Sequence, residues 1–125
     1  MVLASLAFAG AVDAVGAEAP RYVDLGGYAR AHYDLLVVEN CGLLNTELQR
    51  GFELELRDRL DRERLGDEEA EAARTKASLA FEREWHNRGL GGSRPWCREE
   101  GKRAALAFYG RFIDDRFALP AGTAP

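Results

Sequence analysis

The sequence predicts an all-α protein, a small antiparallel bundle of about four helices held together by one disulfide and preceded by a signal-like apolar segment. Apolar residues recur at intervals of three and four from residue 22 to residue 113, and no period-two run is long enough for a strand. A chain of 125 residues holds one domain. Its two cysteines, Cys41 and Cys97, leave one possible bridge.

The N-terminal residues are typical of an export signal. Residues 2–12 form an apolar stretch, and small residues lead up to Ala17, so we predict a signal peptide over residues 1–17 with cleavage after Ala17. A helical domain then occupies residues 18–113, and a flexible C-terminal tail occupies residues 114–125. We therefore expect the protein to be periplasmic or secreted.

Two features of this segment oppose the export signal. No Lys or Arg precedes Arg21, and Asp13 lies near the end of the apolar stretch. The alternative is an Ala-rich N-terminal helix of a cytosolic protein. We expect no permanent membrane span, because such a span needs about 20 apolar residues.

The first helix is predicted from its apolar spacing and should end near Asn40, before Gly42. The second begins at Asn45 and Thr46, where Thr46 and Gln49 stand in capping-box spacing, and continues to Gly66. The residues that recur at helical spacing along the first helix are Tyr22, Leu25, Tyr28 or Ala29, His32, and Leu35 or Leu36. Along the second helix they are Leu48, Phe52, Leu56 and Leu60.

Acidic residues stand four positions before basic ones on the second helix. One such pair is Glu55 with Arg59, in the orientation that the helix dipole favours. We interpret these pairs as a solvated outer face and assign them no function.

The third helix begins with three acidic residues from Asp67 and is expected to stop at Gly89. The fourth begins around Ser93 and Pro95. Their inward residues are Ala70, Ala73, Ala77, Phe81 and Trp85, and then Trp96, Ala104, Phe108 and either Phe112 or Ile113.

The disulfide is predicted to join the first helix to the last. Cys41 follows the first helix and Cys97 lies in the first turn of the fourth, so an antiparallel bundle brings them together. The alternative is a pair of reduced, buried thiols in a cytosolic protein.

Residues 85–97 contain both tryptophans, one of the two histidines and three glycines. A glycine-rich loop that leads into a helix N-terminus presents backbone N–H groups to an anion, and arginines add charge-assisted hydrogen bonds. The competing interpretation is a helix cap and a tight turn, with the tryptophans packed over the disulfide. The candidate binding surface consists of Trp85, His86, Arg88, Arg94 and Trp96.

Metal binding and catalysis have weaker support. The two histidines, His32 and His86, and the two cysteines lack close ligand spacing, so we predict no metal and no cofactor. The catalytic patterns G-x-S-x-G and H-E-x-x-H are both absent. No catalytic residue can be named from the sequence. A small hydrolase that uses a carboxylate or His86 stays open as the alternative.

The charge balance narrows the class of partner. There are 17 Lys and Arg residues against 21 Asp and Glu residues, a net charge of −4, which disfavours general binding to nucleic acid or to an anionic membrane. The aromatic residues Tyr22, Tyr28, Tyr33 and Tyr109 add candidates for an interaction surface. The sequence therefore predicts a non-enzymatic exported protein that binds an unidentified protein or a small anionic ligand.

Overall fold

The computed structural model describes residues 20–86 and 94–111. The signal-like segment, Arg88, the Gly89 stop, Ser93, Phe112, Ile113 and the C-terminal tail all lie outside the described residues. A short 3-10 turn, Tyr22–Asp24, precedes α1 (Gly27–Asn40), α2 (Thr46–Arg62) and α3 (Asp67–His86). Residues 94–96 are helical and lead through a π-helical segment, Cys97–Gly101, into α4 (Lys102–Tyr109).

The four helices form a small antiparallel bundle with no strand in the described residues, which confirms the predicted fold class. The extensive contacts between α-helices all involve α1, which packs against α2, α3 and α4. None of the helices in the described ranges has the length and apolar character that a membrane crossing requires.

The start of α1 differs from the predicted one. Helical periodicity begins at Tyr22, but the helix itself begins at Gly27, whose φ of +40° favours glycine. A Cβ atom at Gly27 would collide with the carboxylate of Glu63, which accepts a hydrogen bond of 3.3 Å from the Tyr28 N–H. The end of α2 therefore caps the start of α1, a tertiary contact that helix periodicity does not show.

The structure confirms that α2 begins at Asn45 and Thr46, and it shows which of the two residues caps the helix. Asn45, and not Thr46, is the N-cap: its side chain accepts a hydrogen bond of 2.8 Å from the Leu48 N–H. At the other end, Arg64 takes a φ of +55°, so the left-handed residue that follows the helix comes before Gly66. Gly66 instead donates its N–H to the carboxylate of Glu69, at 2.8 Å, at the start of α3.

The core lies where α1 meets its three neighbours. Phe52 of α2 and Phe108 of α4 pack with their rings tilted by 31° and the ring centroids 4.4 Å apart, and both are buried. A Cβ atom at Gly51 would lie 2.5 Å from the Phe108 ring, so only glycine permits this close approach. Further buried residues are Leu25, Tyr33, Val37, Val38, Leu48, Ala77, Ala80, Phe81 and Ala104.

The predicted inward residues of α3 are largely confirmed. Ala70, Ala77 and Phe81 are buried, and Ala73 and Trp85 pack against the core while partly exposed. The tyrosine surface expected from the sequence is corrected at two positions, because Tyr28 and Tyr33 are 4% and 2% exposed and belong to the interior.

The disulfide forms as predicted. Cys41 is the C-cap of α1, Cys97 begins the π-helical segment, and their Cα atoms are 5.5 Å apart. The bridge joins residues 56 positions apart in the sequence and fastens the start of the last helical segment to the end of α1.

A buried ion-pair network fastens the other end of that last segment. Asp34 of α1 and Glu55 of α2 are each 0% exposed. Arg111 lies 3.0 Å from an oxygen of Asp34 and 2.7 Å from an oxygen of Glu55. Arg103 of α4 donates to the other Asp34 oxygen at 3.0 Å. Two arginines of the last segment thereby neutralise carboxylates of two other helices.

This network corrects the interpretation of Glu55. The sequence placed Glu55 with Arg59 on a solvated face, whereas Glu55 is fully buried and Arg59 lies 3.7 Å from its carboxylate. Glu55 follows Phe52 at helical spacing, so it shares the inward face of α2 with the core residues. Spacing of i,i+4 within one helix does not tell which pairs a second helix covers.

Removal of the disulfide is expected to destabilise the fold. We expect Cys41→Ser or Cys97→Ser to lower the free energy of unfolding by about 4 kcal/mol, because the bridge restricts a long loop in the unfolded chain. Urea denaturation of each variant and of the reduced parent protein measures this loss. Equal stability of the variants and the oxidised parent would contradict a structural role for the bridge.

Loss of a buried charge should lower the free energy of unfolding more than loss of an exposed charge. We expect Arg111→Met to destabilise the protein by about 3–5 kcal/mol, because Glu55 and Asp34 each lose a buried partner. The matched control is Arg62→Met, which breaks an exposed pair with Asp58 at 3.3 Å and should cost about 1 kcal/mol or less. Urea denaturation compares the two, and equal losses would rule out a dominant role for the buried network.

Candidate functional site

A groove of about 380 Å³ lies beside the disulfide. Cys41 and Cys97 form part of its wall, and its other lining residues are Asn40, Leu43, Trp85, Arg94 and Arg98. We call it the disulfide groove. It lies where the end of α1, the end of α3 and the start of the last helical segment meet.

The structure brings two of the five predicted surface residues into this groove. Trp85 and Arg94 line it, whereas Trp96 contacts Trp85 edge to face, with centroids 6.0 Å apart, and lines a different groove. His86 is exposed at the end of α3 and is not among the lining residues. Arg88 lies outside the described residues.

Sequence reasoning missed Arg98 as a member of this site. Arg98 stands four residues after Arg94 in the helical segment that begins at residue 94, and both side chains line the groove. Helical spacing counted onward from Arg94 would have found it. Asn40 and Leu43 offered no such signal, because the turn after α1 brings them to the groove.

The two arginines of the groove differ from those of the ion-pair network. Arg94 and Arg98 are exposed, and no ion pair joins either of them to a residue within 20–86 or 94–111. Arg103 and Arg111, by contrast, are held by carboxylates at 2.7–3.0 Å. Among the described residues, therefore, no carboxylate neutralises the guanidinium groups of Arg94 and Arg98.

The groove combines positive charge with apolar surface. Trp85 is partly buried against the core and stacks on Phe81, with ring centroids 5.4 Å apart, so its position is set by packing. Leu43 is 43% exposed and adds aliphatic surface. Such a lining suits a ligand that carries an anionic group on an apolar body.

The four residues considered for metal binding are not assembled as ligands. Cys41 and Cys97 are bonded to each other, which leaves neither sulfur as a thiolate. Across the described part of the chain, no group of three or more His, Cys, Asp or Glu side chains is arranged to hold a metal ion.

His32 lies in a separate surface groove between α1 and α3, together with Arg74 and Glu82. Burial lowers the pKa of His32, and the nearby charge of Arg74 lowers it further. Its ring stacks on that of Tyr28, whose hydroxyl accepts a hydrogen bond of 3.0 Å from Arg74. The imidazole thus packs on the Tyr28 ring beside the charge of Arg74.

The buried carboxylates do not favour the hydrolase alternative. Burial raises the pKa of Asp34, and the charges of Arg103 and Arg111 oppose that shift. Among the described residues, Asp34 and Glu55 are the buried acidic side chains, and arginines contact both. Neither is placed at the disulfide groove. The two carboxylates stabilise the packing of the last helical segment against α1 and α2.

The function has to be inferred from the chemistry of the chain itself, because comparisons with protein-family models, curated proteins and solved structures find no match. The disulfide groove contains Trp85 and Arg94, two of the five surface residues singled out from the sequence. Arg94 and Arg98, which form no ion pair with another described residue, make it the candidate functional site.

Proposed function

We propose that this protein is a non-enzymatic exported domain that binds an anionic ligand, a carboxylate borne by a small molecule or by a partner protein, in the disulfide groove. The observation that carries the proposal is the pair Arg94 and Arg98, which line one groove without an ion-pair partner in the described part of the chain. Arginine binds carboxylates through paired, charge-assisted hydrogen bonds.

The surroundings of the two arginines support a ligand with an apolar part. Trp85 and Leu43 supply hydrophobic contact area, and Asn40 adds a side-chain amide. The disulfide fastens the end of α1 to the start of the last segment, so the two sides of the groove keep their separation when the ligand is absent. A preformed groove loses less conformational entropy on binding.

Two features of the chain support export. Disulfides persist in oxidising compartments and are rare in the cytosol. The apolar stretch of residues 2–12, followed by small residues up to Ala17, is typical of a cleaved signal peptide.

Removal of both groove arginines is expected to abolish most anion binding. We expect Arg94→Ala/Arg98→Ala to weaken the binding of hexanoate, an anionic probe with an aliphatic body, about ten-fold or more, because two charge-assisted contacts are lost. Titration followed by amide chemical shifts measures the affinity, and circular dichroism checks the fold.

The control variant Arg50→Ala/Arg57→Ala removes the same charge from exposed positions of α2 and should bind hexanoate as the parent does. Hexanol, which lacks the charge, should bind more weakly than hexanoate. An Arg94→Ala/Arg98→Ala variant that binds as tightly as the parent would exclude the disulfide groove as the anion site.

Intact-mass measurement tests the export of the protein. We expect the intact mass of the protein recovered from its native host to begin at Glu18, with both thiols blocked to alkylation until a reductant is added. A chain that retains residues 1–17 and carries two free thiols would contradict export and favour the cytosolic alternative.

A further inference from the structure

The disulfide is accessible from the groove that it lines. Cys41 and Cys97 are both partly exposed, and both form part of the wall of the disulfide groove. The groove has a volume of about 380 Å³, which is enough for a small molecule. A dissolved thiol can therefore approach the bridge while the core stays folded, and such access is one condition for thiol–disulfide exchange.

The positive charge of the groove lies on the Cys97 side of the bridge. Arg98 follows Cys97 directly, and Arg94 precedes it by three residues, about one helical turn, in the same helical segment. Both arginines line the groove, and neither forms an ion pair with another described residue. Basic side chains stabilise a neighbouring thiolate. A thiolate at Cys97 therefore has two positive charges close to it that no described carboxylate neutralises.

The electrostatic environment of Cys41 is the opposite. Cys41 is the C-cap of α1, and its backbone N–H donates to the carbonyl of Val37 at 2.9 Å. The last carbonyl groups of a helix give its C-terminus a partial negative charge, which disfavours an anion. The last turn of α1 contains no basic residue that could offset this charge. Of the two sulfur atoms, that of Cys97 is therefore the better leaving group, because exchange is faster when the leaving thiolate is stabilised.

We propose that the Cys41–Cys97 disulfide is a site of exchange with a small thiol that carries a carboxylate. The carboxylate binds Arg94 and Arg98, which brings the sulfur of the thiol to the bridge in the same groove wall. This inference rests on the proposed function, because the same two arginines receive the carboxylate. It adds a covalent step and names the class of anion, a carboxylate that bears a thiol.

The step is an exchange of one S–S bond for another. The thiol first loses its proton to water, and a lone pair of the resulting thiolate forms a bond to the Sγ atom of Cys41. The bond between Cys41 and Cys97 breaks, and its electron pair leaves with the Sγ atom of Cys97. The sulfur of the small thiol is oxidised and that of Cys97 is reduced, so the step needs no other oxidant or reductant. The products are a mixed disulfide on Cys41 and a thiolate on Cys97.

The two arginines affect this exchange in two separable ways. They stabilise the Cys97 thiolate, which accelerates exchange with every thiol. They also attract the carboxylate, which accelerates exchange only with an anionic thiol. The second effect appears in the ratio of the rate constants for an anionic thiol and a neutral thiol. When this ratio is compared between two variants, the intrinsic nucleophilicities of the two thiols cancel.

Exchange with 3-mercaptopropionate tests the proposal, with 2-mercaptoethanol as the neutral thiol. The reaction is quenched with N-ethylmaleimide and followed by intact mass and peptide mapping. We expect the mixed disulfide on Cys41 and the maleimide on Cys97. In Arg94→Ala/Arg98→Ala, the ratio of the rate constant for 3-mercaptopropionate to that for 2-mercaptoethanol should fall about five-fold or more, because the attraction of the carboxylate is lost.

The matched control, Arg50→Ala/Arg57→Ala, removes the same charge from exposed positions of α2 and should keep the parent ratio. Urea denaturation verifies that both variants are folded in the exchange buffer. An unchanged ratio in Arg94→Ala/Arg98→Ala would overturn the proposal, and so would an equal fall in the two variants. A mixed disulfide on Cys97 instead of Cys41 would overturn it as well.

A salt titration provides a test that needs no variant. The full chain carries a net charge of −4, so screening of its overall charge would raise the rate with an anionic thiol. Screening of two local arginines lowers it. We therefore expect the ratio of the two rate constants in the parent protein to fall as NaCl is added. A ratio that rises with NaCl would contradict the local attraction.

Hexanoate binding separates this inference from the proposed function. If hexanoate fails to bind, the proposed function is contradicted and the carboxylate preference loses its basis. If hexanoate binds and its binding depends on Arg94 and Arg98, the proposed function stands. An unchanged rate ratio or a mixed disulfide on Cys97 then overturns the exchange site alone.

Discussion

Two fully buried carboxylates, Asp34 and Glu55, set the strongest constraint on this fold. A buried carboxylate is tolerated only when it is paired and hydrogen-bonded. Both partners come from the last helical segment, where Arg103 and Arg111 reach across to α1 and α2. The last segment must therefore dock in one position, because a shifted helix would leave Asp34 without its arginines and Glu55 with only Arg59, at 3.7 Å.

The disulfide and the ion pairs act on opposite ends of the same segment. The bridge holds the start of the segment against the end of α1. Arg111, its last described residue, pairs with Asp34 and Glu55. Between them, Phe108 packs into the space left by Gly51. A covalent bond, a close-packed contact and an ionic network thus position one helix whose exposed sides carry Arg94, Arg98 and Glu99.

The candidate site depends on that positioning. The disulfide groove needs the start of the last segment beside α3, so that Arg94 and Arg98 face the same space as Trp85. The same segment also places Trp96 and Glu99 in one groove wall with Tyr33 of α1. The interactions that stabilise the fold thereby also place two arginines on the wall of one groove, the arrangement on which the proposed anion binding depends.

The sequence by itself determined the helical class, the approximate helix boundaries, the inward residues of α3 and the pairing of Cys41 with Cys97. These features depend on local spacing, on capping and turn residues, and on a count of two cysteines. Tertiary structure decided what depends on neighbouring helices: the burial of Glu55 and Tyr33, the cap that Glu63 provides for α1, and the meeting of Arg98 with Trp85. Helical periodicity places a residue on a face, but only packing determines which faces are covered and which charges meet.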